Sequence, residues 1–165
     1  MDKDREIIIL GLGNILLKDE GFGVHFVRWF DTRHTLPETV EVLDGGTLGY
    51  GLLDTVSRCR TLIVIDVIKV DDAPGSLYSF TREQIETIRP EPSSAHEVEF
   101  FHVLDLADLG GMCPEVVFLC ITPEQYRDMG LDMTEAMTER FVDMERLLLG
   151  ELSRLNITPE SKIHA

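Results

Sequence analysis

The strongest constraint in this sequence is a set of short, unbroken apolar runs, rich in β-branched residues. Glu6 to Leu12 (EIIILGL), Thr61 to Val67 (TLIVIDV) and Glu115 to Ile121 (EVVFLCI) lack polar alternation, the pattern of strands buried on both faces. Val40 to Asp44 and Ser76 to Phe80 supply two more short strands. Helical patterns lie between them. Phe22, Phe26, Trp29 and Phe30 form a stripe within Gly21 to Phe30, and Leu48 to Cys59 reads as a second helix. Phe100, Val103, Leu104 and Ala107 share one face of a third, and Met137, Phe141, Met144, Leu148, Leu152 and Leu155 line a fourth.

Strands alternating with helices predict a three-layer α/β/α domain around a mainly parallel five-stranded sheet. The connector Ile68 to Pro74 has seven residues, fewer than the roughly dozen a parallel crossover requires. The fourth strand is therefore expected antiparallel to the third. Residues 82–95, near Pro74, Pro90 and Pro92, read as an irregular return path. Ser94 to Glu97 fits a capping box opening the third helix, and Asp132 to Glu135 fits one opening the fourth. Residues after Asn156 read as a frayed tail. With no repeat, low-complexity tract or linker, residues 1–165 read as a single domain with its core at about 6–155.

Charge narrows the function classes. The 165 residues carry 30 acidic and 15 basic side chains, a net of −15. Such a surface repels phosphate backbones and anionic lipid heads, which argues against nucleic acid and membrane as partners. Apolar runs such as Ile7 to Leu10 and Leu62 to Ile65 fall far short of the ~20 residues of a membrane helix. Met1 to Glu6 is charged with no apolar segment of signal-peptide length behind it. Cys59 and Cys120 lie in apolar surroundings and, with Cys113, make an odd number without a CxxC pair. They read as thiols of a reducing compartment, and a cytoplasmic location is expected.

In an open parallel sheet, ligands bind beyond the carboxyl ends of the strands. That rule gathers Asn14, Asp19 and Glu20 after the first strand, Asp44 after the second, and Asp66 at the end of the third. His96 stands at the start of the third helix, and Thr122, Pro123 and Glu124 follow the fifth strand. Glu20, Asp66 and His96 are thus expected on one rim, where two carboxylates and an imidazole suit a divalent metal such as zinc or nickel. Each also has a structural reading. Glu20 could favour a helix N-terminus, Asp66 could bond nearby backbone amides, His96 could be a satisfied histidine at a helix start, and Asp44 could form a turn. Gly11 and Gly13 hint at a dinucleotide fingerprint, but its third glycine position holds Leu16. No GxSxG elbow or GxxxxGK[ST] loop occurs in the sequence.

Gly11 to Val24 (GLGNILLKDEGFGV) resembles the N-terminal signature of nickel–iron hydrogenase maturation endopeptidases, GxGNxLxxDEGxGV. Leu43 to Thr47 is similar to the family's DGGT segment. Asp66 with Ala73-Pro74-Gly75 resembles its strand-three aspartate and APG turn, Ser94-Ala95-His96 its histidine segment, and Thr122-Pro123-Glu124 its final strand-end element. The resemblance runs from about Glu6 to Leu155.

It implies a peptidase that removes a C-terminal peptide from the nickel-loaded precursor of the hydrogenase large subunit. It further implies a metal triad at Glu20, Asp66 and His96, holding the precursor's nickel or another divalent ion. Asp44 and Asp66 are the candidates for a general base that activates water; a metal polarising the carbonyl or the water is the other route. A non-catalytic nickel-binding chaperone on the same fold is the alternative function. The oligomeric state stays open, a monomer being one outcome.

Overall fold

The computed structural model of the chain describes residues 5–88 and 95–163. The elements run β1 (Arg5–Leu12), α1 (Phe22–Arg33), β2 (His34–Thr35), β3 (Val40–Gly46), α2 (Leu53–Ser57), β4 (Cys59–Val67), β5 (Leu77–Thr81) and α3 (Arg82–Ile88). After these come α4 (Ala95–Leu109), β6 (Glu115–Ile121), α5 (Glu135–Thr138), α6 (Phe141–Arg154) and β7 (Glu160–Ser161). Single 3-10 turns precede α1 (Lys18–Gly21) and α2 (Gly49–Leu52).

The five apolar runs form one sheet in the order β3-β1-β4-β6-β5. The four strands from β3 to β6 are parallel, and β5 pairs antiparallel with β6, Leu77 lying opposite Ile121. The short Ile68–Pro74 connector therefore does force a reversal. The reversed strand skips past β4 and caps the outer edge of β6.

Alternation along the central strands feeds two cores. Ile7, Ile9, Ile63, Ile65, Leu119 and Ile121 pack with Phe22, Phe26 and Phe30 of α1 and Met144, Leu148 and Leu152 of α6. Ile8, Leu10, Leu62, Val64, Phe118 and Cys120 pack with Val56, Ile85 and the Phe100–Val103–Leu104–Ala107 stripe of α4. Each fully buried large side chain contributes about 2 kcal/mol by area, and these strands contribute to both sides. Cys59 and Cys120 are buried free thiols, as the sequence indicated.

Four local expectations need correction. Leu48 to Cys59 is not one helix: a 3-10 turn leads into the five-residue α2, and Cys59 already begins β4. The return path after β5 is not irregular at first, since Arg82–Ile88 forms α3 and buries Ile85. The fourth helix breaks between Thr138 and Phe141, and Thr134 rather than Asp132 precedes it as N-cap, without a side-chain capping bond. The tail after Asn156 is not frayed, because Glu160–Ser161 pairs with His34–Thr35 and the Lys162 N–H bonds to the Arg33 carbonyl at 2.8 Å. The capping box at Ser94 lies outside the described residues.

Candidate functional site

The site is built where the chain crosses the top of the sheet between β1 and α1. The 3-10 turn Lys18–Gly21 inserts Asp19 and Glu20 under the loop that follows β6, and both are buried, Glu20 to 1% exposure. Asp19 has the task of a latch. Its carboxylate accepts the backbone N–H groups of Glu124 (3.1 Å), Gln125 (2.7 Å) and Thr134 (2.8 Å), and the Thr134 hydroxyl at 3.0 Å. One buried carboxylate thus ties the first strand's loop to the last strand's loop and to the start of α5. Asp19→Asn should lower stability by about 2 kcal/mol in urea denaturation, because the amide aims N–H groups at N–H donors.

Glu20 is placed differently. Neither of its buried oxygens accepts a hydrogen bond among the described residues. Its charge is met instead by two cation-capable groups, the Lys69 Nζ at 3.0 Å from Oε2 and the His96 Nε2 at 3.5 Å from Oε1. His96 opens α4 and lies over the far face of the sheet from α1. The Glu20–His96 contact therefore reaches across the sheet's upper edge, from one helical layer to the other. Lys69 comes from the loop after β4, and its ammonium also lies 4.7 Å from the centroid of the Tyr126 ring in the loop after β6. A buried carboxylate without hydrogen bonds needs a cation beside it.

Asp66, the penultimate residue of β4, lies opposite Cys120 of β6, on the sheet face that carries Leu62 and Val64 under α4. It is 9% exposed, and its Oδ1 accepts the Val67 N–H at 2.8 Å. Asp44 lies near the end of β3, opposite Gly11. Its Oδ2 accepts from the Arg28 guanidinium at 3.0 Å (Nε) and 2.5 Å (Nη2). The structure thus brings Glu20 and His96 into contact, sets Asp66 at the adjoining strand end, and pairs Asp44 with Arg28. Among the described residues no three His, Cys, Asp or Glu side chains assemble into a group able to hold a metal ion.

Sequence reasoning missed Lys69, which looks like an ordinary loop lysine between Ile68 and Val70. It also missed His25, a half-buried residue of α1. Burial, and then the Arg28 charge, pull the His25 pKa below its ordinary value of 6.5, against the opposing pull of Asp44 and Asp132. The folded chain therefore keeps His25 neutral where the unfolded chain would take a proton. Its contribution to stability is fully present above pH 6.5 and is lost as pH falls through 6.5 toward the lowered value. Urea midpoints measured between about pH 5 and pH 8 should fall on the acid side more steeply for the native protein than for His25→Gln.

Exposed apolar side chains collect at the same end of the molecule. Leu16, Leu48, Tyr50, Met129 and Leu131 are all exposed, in the loops after β1, β3 and β6. Leu17 forms a parallel bridge with Gly130, and the Gly130 N–H bonds to the Leu16 carbonyl at 2.8 Å, so Leu16 and Met129–Leu131 are neighbours. No helix among the described residues is long and apolar enough to cross a membrane.

The family described as "HycI: Hydrogenase maturation protease" matches residues 24–151. The hydrogenase 2 maturation protease of Escherichia coli K12 is 34% identical over 162 residues, covering 96% of this chain and 98% of that one. The hydrogenase expression/formation protein HupD of Bradyrhizobium diazoefficiens is 33% identical over 158 residues, covering 94% and 82%. Among solved structures, the hydrogenase maturating endopeptidase HybD from E. coli superimposes with a TM-score of 0.90 at 28% identity, covering 95% of this chain and 98% of its own. The NiFe hydrogenase maturation protease HybD from Thermococcus kodakarensis gives 0.72 at 25% identity, covering 88% and 97%.

Proposed function

Because the chain belongs to the hydrogenase maturation protease family and is a peptidase on that ground, we propose that it removes the C-terminal extension from the nickel-loaded precursor of a nickel–iron hydrogenase large subunit. The observation that carries this reading is the Glu20 carboxylate, 1% exposed, without a hydrogen bond to either oxygen among the described residues, and 3.5 Å from the His96 imidazole. That pair offers an oxygen and a nitrogen donor to an arriving cation. Two donors make an incomplete site for a free ion. They suit a nickel centre that arrives with ligands of its own, with Asp66 at the next strand end as the third contact. The metal is then cargo of the substrate, and a precursor without nickel is rejected through the missing contacts.

The apolar rim supports a protein as the substrate. Leu16, Leu48, Tyr50, Met129 and Leu131 are exposed in the connections that follow β1, β3 and β6, and exposed apolar side chains gathered in one region mark interaction surfaces. The hydrogenase precursor is the partner, in the cytoplasm, with neither nucleic acid nor membrane involved.

For the chemical step, a carboxylate takes a proton from water as the water attacks the scissile carbonyl, and the proton passes to the leaving amine. Asp66 is the first candidate for this base, because it stands near the carboxyl end of β4, the strand whose following loop supplies Lys69. Asp44 is the second, since its Oδ2 already accepts two N–H groups from Arg28.

Intact-mass spectrometry of the precursor after incubation with this protein tests the reading. The expected result is a shorter large subunit together with a released C-terminal peptide. Saturable binding of the nickel-loaded precursor with no loss of mass would replace the peptidase by a non-catalytic nickel chaperone.

A further inference from the structure

We propose that Lys69 is a resident counter-ion that holds the Glu20 carboxylate closed to free metal ions and yields it to the metal centre of the precursor. Lys69 thereby becomes the residue that sets the metal selectivity of this site. The inference rests on the reading of Glu20 as a metal-receiving residue and goes beyond it by assigning the group the metal must displace.

At 1% exposure and with no hydrogen bond to either oxygen among the described residues, Glu20 depends on cations for its charge balance. The nearer cation is the Lys69 ammonium, 3.0 Å from Oε2, on a side chain itself only 19% exposed. A divalent ion seated between Glu20 and His96 would stand beside this ammonium, and like charges at such range in a partly buried site repel strongly. The ion can enter only as Lys69 withdraws.

The structure also shows where it can withdraw to. The same ammonium lies 4.7 Å from the centroid of the Tyr126 ring, a face that attracts cations. A compact charge on a flexible four-carbon stem can move from the carboxylate toward the ring without moving the backbone. A free hydrated ion has only the Glu20 and His96 donors with which to offset this displacement. A metal carried by the precursor adds its own ligands and the contacts of the precursor with the apolar rim. Lys69 therefore weakens the first kind of binding more than the second. In a chain of net charge −15, which concentrates cations around itself, such a guard has a clear use.

Titration calorimetry with nickel sulfate on the full-length protein tests this without any precursor. Lys69→Met and Lys69→Gln should each bind Ni2+ about tenfold or more tightly than the native chain, whereas Lys69→Arg, which keeps the charge, should stay near native. Adding Glu20→Gln to Lys69→Met should abolish the gain, with circular dichroism verifying the fold of every variant. Native-like or weaker affinity in both neutral variants, with Glu20→Gln still lowering it, would overturn the role of Lys69 and leave Glu20 in place. Nickel binding indifferent to Glu20 in every background would remove the metal-receiving reading, and this inference with it.

Discussion

Glu20→Gln is expected to lower the rate of precursor processing by about 100-fold or more while leaving the fold intact. The substitution changes no volume and removes one charge. The amide retains a carbonyl oxygen but loses the anionic donor that a cation needs, and it leaves Lys69 facing a neutral group. Lys69 still has the Tyr126 ring and partial contact with solvent, so the loss in stability should be small beside the loss in activity. Single-turnover kinetics with purified precursor and a urea melt of the same sample separate the two effects. A variant that processes at the native rate would show that Glu20 is a structural carboxylate.

Gly23→Ala should act through the fold instead, lowering stability by about 3 kcal/mol or more. Gly23 lies in the first turn of α1, where a Cβ would collide with the carbonyl oxygens of Ile65 and Leu12. Both obstacles are backbone, so no side chain can swing aside. Gly11 faces it from β1, where a Cβ would strike the Gly23 carbonyl. The two glycines let helix and strand meet backbone to backbone, and this contact sets the turn that carries Asp19 and Glu20. Gly150, in the middle of α6 with open space around its missing Cβ, is the control. Gly150→Ala should be neutral or stabilising by up to about 1 kcal/mol. Chemical denaturation of both variants checks the contrast, and a Gly23→Ala protein as stable as the native one would refute the packing argument.

These glycines illustrate what a sequence can and cannot disclose. Gly11, Gly13, Gly21 and Gly23 stand out as a motif, yet nothing local says that Gly11 and Gly23 touch. The five strands were legible because burial on both faces leaves a continuous β-branched run, and the reversal of β5 was legible from the length of its connector. The break between α5 and α6 was not, because Met137, Phe141 and Met144 keep a helical period straight across it. The helix Arg82–Ile88 was hidden by the prolines on either side and by a single buried anchor, Ile85.

The site divides along the same line. Glu20, Asp66 and His96 could be placed on one rim because strand ends and a helix start are topological positions. In the structure Glu20 and His96 lie 3.5 Å apart, while Asp44 is bound to Arg28. Lys69 and the latch at Asp19 were invisible, since each depends on partners brought near by tertiary folding. Asp19 accepts from Glu124, Gln125 and Thr134, residues more than a hundred positions away, and periodicity carries no information at that range.

The central claim is that the rim around Glu20 and His96 reads the metal of the substrate before cleavage. The most direct measurement compares single-turnover cleavage of one precursor preparation, nickel-loaded or stripped of nickel, by the native protein. The account predicts release of the C-terminal peptide at least about 100-fold faster from the loaded form. Equal rates from the two forms would contradict it.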